Sequence, residues 1–225
     1  MKKLRITIML PVLLLAMMVV VPMASAYRSD NYGPNYGWPE DFSNDAYSAA
    51  VKQASMGYGA YYDSNVASST AWNRLPSDQV FSFNGHGNNG AIVFYDNSRI
   101  YANYPSDPQS ISSLTSGQLN DLALAVFVSC ESGFGSSNLL TSTVARGGDA
   151  AVGFKGTITK AQADYWTGRF WYHLDQYQSV QNAAILAKSD TSSYFWGLTG
   201  GTETMDYKGT STGLNRVLKP AVGGV

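Results

Sequence analysis

The chain has 225 residues, with 15 Lys and Arg against 16 Asp and Glu, two His and a single Cys. A balanced charge without Lys/Arg clusters in the body of the chain argues against nucleic acid or an anionic membrane surface as a partner. One cysteine excludes an intramolecular disulfide, and two histidines 87 residues apart exclude a Cys/His zinc cluster.

The first 26 residues stand apart. Lys2, Lys3 and Arg5 precede an apolar run from Met9 to Met23, and Ala24-Ser25-Ala26 follows. That order of charge, apolar run and small residues predicts a secretory signal peptide over 1–26. The run is shorter than the roughly 20 residues of a spanning helix, so no stable membrane span is expected after cleavage. Cleavage would remove three basic residues and no acidic one, leaving 199 residues with a net charge near −4. That is one domain's worth of chain.

Residues 27–43, rich in Tyr, Asn, Gly and Pro, read as an irregular N-terminal arm. A domain is expected over 44–225, loop-rich from about 191. Asn44 to Met56 has apolar residues at three- and four-residue spacing and predicts a helix, capped by Ser43 or Asn44. Gly57 ends it. Tyr58 to Tyr62 reads as a strand and Asn65 to Asn73 as a helix. Gln79 to Phe83 reads as a strand ending at Asn84-Gly85-His86-Gly87, followed by strand-like segments at Ala91–Tyr95 and Arg99–Tyr101. Ser116 to Asp121 suggests a helix end. Leu122 to Ser129 is a continuous apolar run, the mark of a strand covered on both faces, and it ends at Cys130. Then come a helix at Leu139–Arg146, a strand at Ala150–Phe154, and helices at Thr159–Asp175 and Val180–Lys188, the last capped by Ser179. Beyond it the chain reads as loop, with a weak strand near Tyr194–Leu198. Short apolar strands alternating with helices predict an α/β sandwich, a mainly parallel sheet flanked by helices. Ligands of such sheets lie beyond the carboxyl ends of the strands, where both His86 and Cys130 fall.

A thiol attacks a carbonyl as thiolate, and an imidazole beside it takes the proton or stabilises the anion. The oxyanion that forms needs N–H donors. If the strands before His86 and Cys130 are neighbours, the side chains converge, and the backbone N–H groups of Gly87 and Cys130 are the candidate oxyanion donors. Glu131 is a candidate substrate contact, against its more ordinary reading as a solvated or structural acid. His173 and the aromatics Trp166, Phe170, Trp171 and Tyr172 read as packing residues of a helix. Gly209-Thr210-Ser211-Thr212-Gly213 has the letters of a nucleophile elbow but no apolar strand before it and no His after it. No metal or cofactor motif is present.

The ordered pair of motifs, Val80 to Gly87 ending in His-Gly and Ala125 to Cys130 ending in Ser-Cys 44 residues after His86, resembles the caspase-like cysteine peptidases. These include caspases, gingipains, clostripain, legumain, separase and CHAT domains. The downstream segments Gly147–Gly153, Ala163–Leu174 and Ser179–Ala187 are similar to the gingipain and CHAT pattern. The resemblance covers about residues 44 to 190. It implies a caspase-like three-layer sandwich and an exported endopeptidase acting on peptides or proteins through a Cys130–His86 dyad, without cofactor. It departs in two places. The family's opening strand has no counterpart in the pattern of 27–41, and Val128 stands where clostripain-like enzymes carry an acid for basic side chains. A catalytically inactive binding or cell-surface module on the same fold is the alternative, and a carbohydrate binder using the 15 Tyr and 5 Trp is a third.

Overall fold

The computed structural model describes residues 27–37, 39–196 and 200–224. The expected signal peptide at 1–26 lies outside the described residues. A six-stranded sheet runs in the order β2-β1-β3-β7-β8-β9. Its strands are β1 (Arg28–Tyr32), β2 (Gly59–Asp63), β3 (Val80–Asn84), β7 (Leu124–Val128), β8 (Ala150–Phe154) and β9 (Met205–Gly209). All neighbours pair in parallel except β9, which is antiparallel to β8. A three-stranded antiparallel sheet, β4 (Gly87–Asn88), β5 (Ala91–Val93) and β6 (Arg99–Tyr101), follows the end of β3.

Helices α1 (Ser43–Ser55), α4 (Lys160–Asp175) and α5 (Val180–Tyr194) cover one face. The other face takes α2 (Ser68–Arg74), α3 (Leu139–Ala145) and the small sheet. The mainly parallel three-layer α/β sandwich is therefore present as expected. Strand β7 shows why its sequence is an unbroken apolar run. Leu124, Val126 and Val128 point into the core beneath α4 and α5, while Ala125 and Phe127 point into the opposite core. In a strand with both faces covered, each residue gains by leaving water, about 1.5–3 kcal/mol for a fully buried Val, Leu or Phe.

The arm expected at 27–43 is corrected at its start. Arg28–Tyr32 forms β1, second in the sheet and paired on both edges. Its sequence, Arg-Ser-Asp-Asn-Tyr, hides this because it buries polar residues, of which Asp30 and Asn31 are satisfied by side-chain partners rather than replaced by apolar ones. Asn31 and Gln53 of α1 exchange two hydrogen bonds of 2.7 Å, and Asn31 also donates to Tyr61 O at 3.0 Å. Asp30 receives Arg28 Nε at 2.5 Å and lies 3.5 Å from an Arg74 nitrogen. Tyr32 packs against Phe81 and Phe94 at ring separations of 5.3 and 6.0 Å.

Other boundaries shift for local reasons. Helix α1 is led by Phe42, not capped by Ser43 or Asn44. The Asp41 carboxylate instead accepts from Ser43 N at 2.9 Å. Residues 116–121 form turns rather than a helix end. Helix α5 runs on to Tyr194, so no strand starts there, and residues 197 and 198 of the expected strand lie outside the described residues. The final strand is β9, within the segment expected to be loop. It supplies a strand before Gly209, yet Ser211 opens an exposed helix, α6 (Ser211–Asn215), with no histidine among its partners in the described residues.

Asp78, just before β3, is fully buried, and neither carboxyl oxygen has a hydrogen-bond partner among the described residues. Arg28 Nε approaches Oδ1 at 3.4 Å. Burial, and then the adjacent Asp30, push its pKa well above the carboxylate range. The folded state thus holds a proton that the unfolded chain releases near pH 4, so this group's contribution to stability falls as pH rises above 4. The slope for one such proton is at most about 1.4 kcal/mol per pH unit. Asp78→Asn should flatten the decline of melting temperature between pH 5 and 8. Parallel wild-type and variant curves would show that Asp78 is not the titrating group.

Candidate active site

Strands β3 and β7 are adjacent and parallel, with Asn84 paired to Val128. Gly85 N donates to Val128 O at 3.1 Å and carries the ladder one step further. His86 and Cys130 each stand two residues beyond that last matched pair. They leave the sheet at the same level from strands about 4.8 Å apart.

The two loops then touch. A Cβ on Gly87 would lie 2.7 Å from Ser129 Oγ and 2.8 Å from Ala91 O, so only glycine fits. Glu131 adopts a left-handed φ of 57° and fastens the loops together. Its carboxylate accepts from Asn89 N at 3.1 Å, its carbonyl accepts from Gly90 N at 3.2 Å, and its N–H donates to Gly156 O at 3.1 Å. Glu131 thus braces the His86 loop against the Cys130 loop. Behind it the buried Ser132 hydroxyl lies 2.9 Å from Phe127 O and accepts from Phe154 N at 3.0 Å, fixing the turn after β7.

Cys130 is half-buried, with Sγ 3.6 Å from Ile158 O. Its N–H takes no hydrogen bond among the described residues. The second candidate donor, Gly87, is set by the hairpin. Val93 N donates to His86 O at 3.0 Å, which makes 86 and 93 a bonded pair. Bonded and non-bonded pairs alternate along an antiparallel ladder. Gly87, opposite Ile92, is therefore at a non-bonded position, and its N–H points away from β5.

The His86 ring is half-exposed and sits in an aromatic seat. Tyr36 lies 4.6 Å from it and Phe42 5.9 Å, the latter edge-on at 74°. The Tyr36 hydroxyl donates to Val93 O, tying the seat to the hairpin. His86 Nε2 is 3.0 Å from Glu40 Oε2. Sequence reasoning identified no third member for the pair. Glu40 lies 46 residues before His86 in a stretch without periodicity, and only the path of the chain after β1 brings it there.

His173 lies apart from this group, 2.7 Å from Asp190, which also takes Arg169 Nε at 2.6 Å. It joins α4 to α5, as its reading as a packing residue anticipated. Among the described residues no group of three or more His, Cys, Asp or Glu could hold a metal ion. No helix among them is long and apolar enough to cross a membrane.

This is a caspase-like fold, with the candidate histidine and cysteine beyond the carboxyl ends of two adjacent parallel strands. Among solved structures, the chain is similar to the complex of Porphyromonas gingivalis RgpB pro- and mature domains, at a TM-score of 0.67 and 13% identity over 84% of this chain and 48% of that one. Separase in the Saccharomyces cerevisiae separase–securin complex gives 0.55 and 10%, over 82% of this chain and 12% of that one. Caspase-1 from Spodoptera frugiperda gives 0.53 and 6%, over 82% and 87%. The chain spans about half the length of the gingipain chains it matches. No family model and no curated protein matches the sequence.

The contact between Gly87 and Ser129 can be tested directly. Gly87→Ala inserts a methyl group against a buried hydroxyl and a backbone carbonyl, which should cost about 1–3 kcal/mol in urea denaturation. A variant as stable as wild type would mean that the two loops separate freely.

Proposed function

We propose that the chain is an exported cysteine endopeptidase that cleaves peptide bonds through Cys130 and His86. The observation that carries this reading is the β3–β7 register, which sends both residues out of the sheet at one level. The basic–apolar–small order of residues 1–26 supports export. The similarity in fold to gingipain, separase and caspase structures supports a peptide or protein substrate.

The chemistry follows from the arrangement. Glu40 accepts a hydrogen bond from Nε2 of His86, which assigns that nitrogen the proton and leaves Nδ1 as the working base. His86 takes the Cys130 thiol proton, and the thiolate attacks the scissile carbonyl carbon. The N–H groups of Gly87 and Cys130 receive the oxyanion. Collapse of the tetrahedral intermediate forms a thioester as His86 returns the proton to the leaving amine. Water then attacks the thioester with His86 again as base, releasing the acid and the free thiol. Glu40 holds the ring in its orientation and stabilises the imidazolium. Glu131 has a bracing role here. Its carboxylate is committed to Asn89, so direct substrate contact would require that bond to open. The preference of clostripain-like enzymes for basic residues is not carried over, because Val128 stands at the position of their acid.

The second reading, an inactive module on this fold, has one observation in its favour. The Cys130 thiol is engaged with Ile158 O at 3.6 Å, a contact that must open before His86 can take its proton. Cleavage of a peptide library and alkylation by iodoacetamide separate the two. For the peptidase, Cys130→Ala abolishes cleavage and His86→Ala lowers kcat about 10²–10⁴-fold. Glu40→Gln should keep the fold and lower kcat more than it raises KM. A wild-type protein that cleaves no library peptide, and whose thiol reacts no faster than a free peptide thiol, would establish the inactive module.

A further inference from the structure

The first turns of α1 and α4 meet at the carboxyl edge of the sheet, and each directly continues one wall of the site. Helix α1 follows Glu40 and Phe42, which contact the His86 ring. Helix α4 follows Ile158, whose carbonyl lies against the Cys130 sulfur. Lys160 joins the two turns. Its Nζ is 2.8 Å from both carboxylate oxygens of Asp164, one turn along α4, and 3.5 Å from Asp45 Oδ2 on α1. The same ammonium lies 4.8 Å from the centre of the Phe42 ring, which is itself 5.9 Å from the His86 ring. Side chains thus run without a break from the start of α4 through Lys160 and Phe42 to the imidazole.

We propose that Lys160, held between Asp45 and Asp164, is a positioning residue that clamps the Glu40–Phe42 wall carrying His86 to the Ile158 wall carrying Cys130. The proposal rests on the reading of His86 and Cys130 as the reacting pair. Three features separate the clamp from an ordinary surface ion pair. It bridges two helices rather than one, its Asp45 end is largely buried, and it packs on a ring that seats the base. A displacement of about 1 Å at a reacting group can cost orders of magnitude in rate, so a contact that sets the spacing of the two walls can govern activity with little effect on global stability.

The clamp also has a charge imbalance. Two carboxylates share one ammonium, so the cluster carries excess negative charge when both are ionised. Burial, then the charge of Asp164, push Asp45 well above the carboxylate range, while Lys160 opposes this. Around Asp45 the charged and titratable groups are Lys160 and Asp164 on α4, Asp41 in the chain entering α1, and Lys52 further down the groove between the helices. With Asp45 protonated, Lys160 is matched to Asp164 alone. With Asp45 ionised, Lys160 is divided between the helices and the clamp is tightest. The pair should therefore work best on the alkaline side of the Asp45 titration.

The test is the rate of Cys130 alkylation by iodoacetamide against pH on the full chain, with melting temperature recorded for every variant. Lys160→Met should slow alkylation at least about tenfold while the protein stays folded, and Lys160→Arg should restore most of the rate. Asp45→Asn, nearly isosteric, should remove the inflection that the Asp45 titration adds to the profile. A folded Lys160→Met protein whose profile superimposes on wild type overturns the clamp. If Lys160→Met does not fold, Asp45→Asn decides, and an unchanged inflection overturns it. His86→Ala separates the two readings. A His86→Ala profile identical to wild type removes the dyad itself, whereas an altered His86→Ala profile beside an unaltered Lys160→Met profile removes only the clamp.

Discussion

The parallel pairing of β3 with β7 is the constraint on which the rest of the site depends. Parallel strands cannot be joined by a tight turn, so the chain between Asn84 and Leu124 must travel away and return. It spends that length on the β4–β6 sheet, whose Ile92 and Ile100, with Phe94 from the turn between β5 and β6, roof the core beside Phe81, Phe83 and Phe127. The excursion therefore does two things. It buries one face of β3 and β7, and its first hairpin holds His86 O and aims the Gly87 N–H. A slip of one residue in the β3–β7 register would turn Val126 and Phe127 to the wrong cores. The packing that stabilises the sheet thus also keeps His86 level with Cys130.

The elements legible in the sequence are those whose burial is apolar. Strands β3, β7 and β8 are rich in Val, Phe, Leu and Ala because both of their faces are covered, with Ser82, Asn84 and Gly153 the exceptions. Helices α1, α4 and α5 show their apolar stripes, and Ser179 caps α5 where expected, while Thr159, read as the first residue of α4, caps it instead. The pair His86 and Cys130 was legible for the same reason, since each ends such a strand. What was not legible is polar or lies at an edge. β1 buries Asp30 and Asn31 against Arg28 of the same strand and against Gln53 and Arg74, 22 and 44 residues away, which no local window contains. β9 is half-buried throughout, the antiparallel edge of the sheet, and its Met-Asp-Tyr-Lys-Gly lacks any run. Glu40 belongs to the same class. It reaches His86 only because β1 is a strand, so missing the strand meant missing the acid.

Glu131 shows how a residue next to the candidate nucleophile acquires a different task. Directly after Cys130 it was a candidate substrate contact against its more ordinary reading as a solvated or structural acid, and adjacent residues of a turn seldom face the same way. A left-handed φ, uncommon for a residue with a side chain, costs of order 1 kcal/mol or more. Three hydrogen bonds, to Asn89, Gly90 and Gly156, oppose that cost. Strained turns that persist are those whose surroundings over-determine them. The turn here holds Cys130 at the mouth of the sheet, with Ser132 anchoring it from below.

The lone cysteine can now be placed in physical terms. An unreactive buried thiol needs only an apolar hole, and nothing around it need be polar or matched. Cys130 instead stands on a braced turn at the carboxyl edge, level with an imidazole that has its own carboxylate and aromatic seat. Each support comes from a different strand end: Glu40 and Phe42 from the chain after β1, His86 and Gly87 from β3, Ser132 from β7, Ile158 from β8. The chain after four strands thus meets in the two joined loops that carry His86 and Cys130. That arrangement makes the turn at Cys130 a candidate site, and the segment after β1, the least legible in the sequence, joins its surroundings through the contacts of Glu40 and Phe42 with His86.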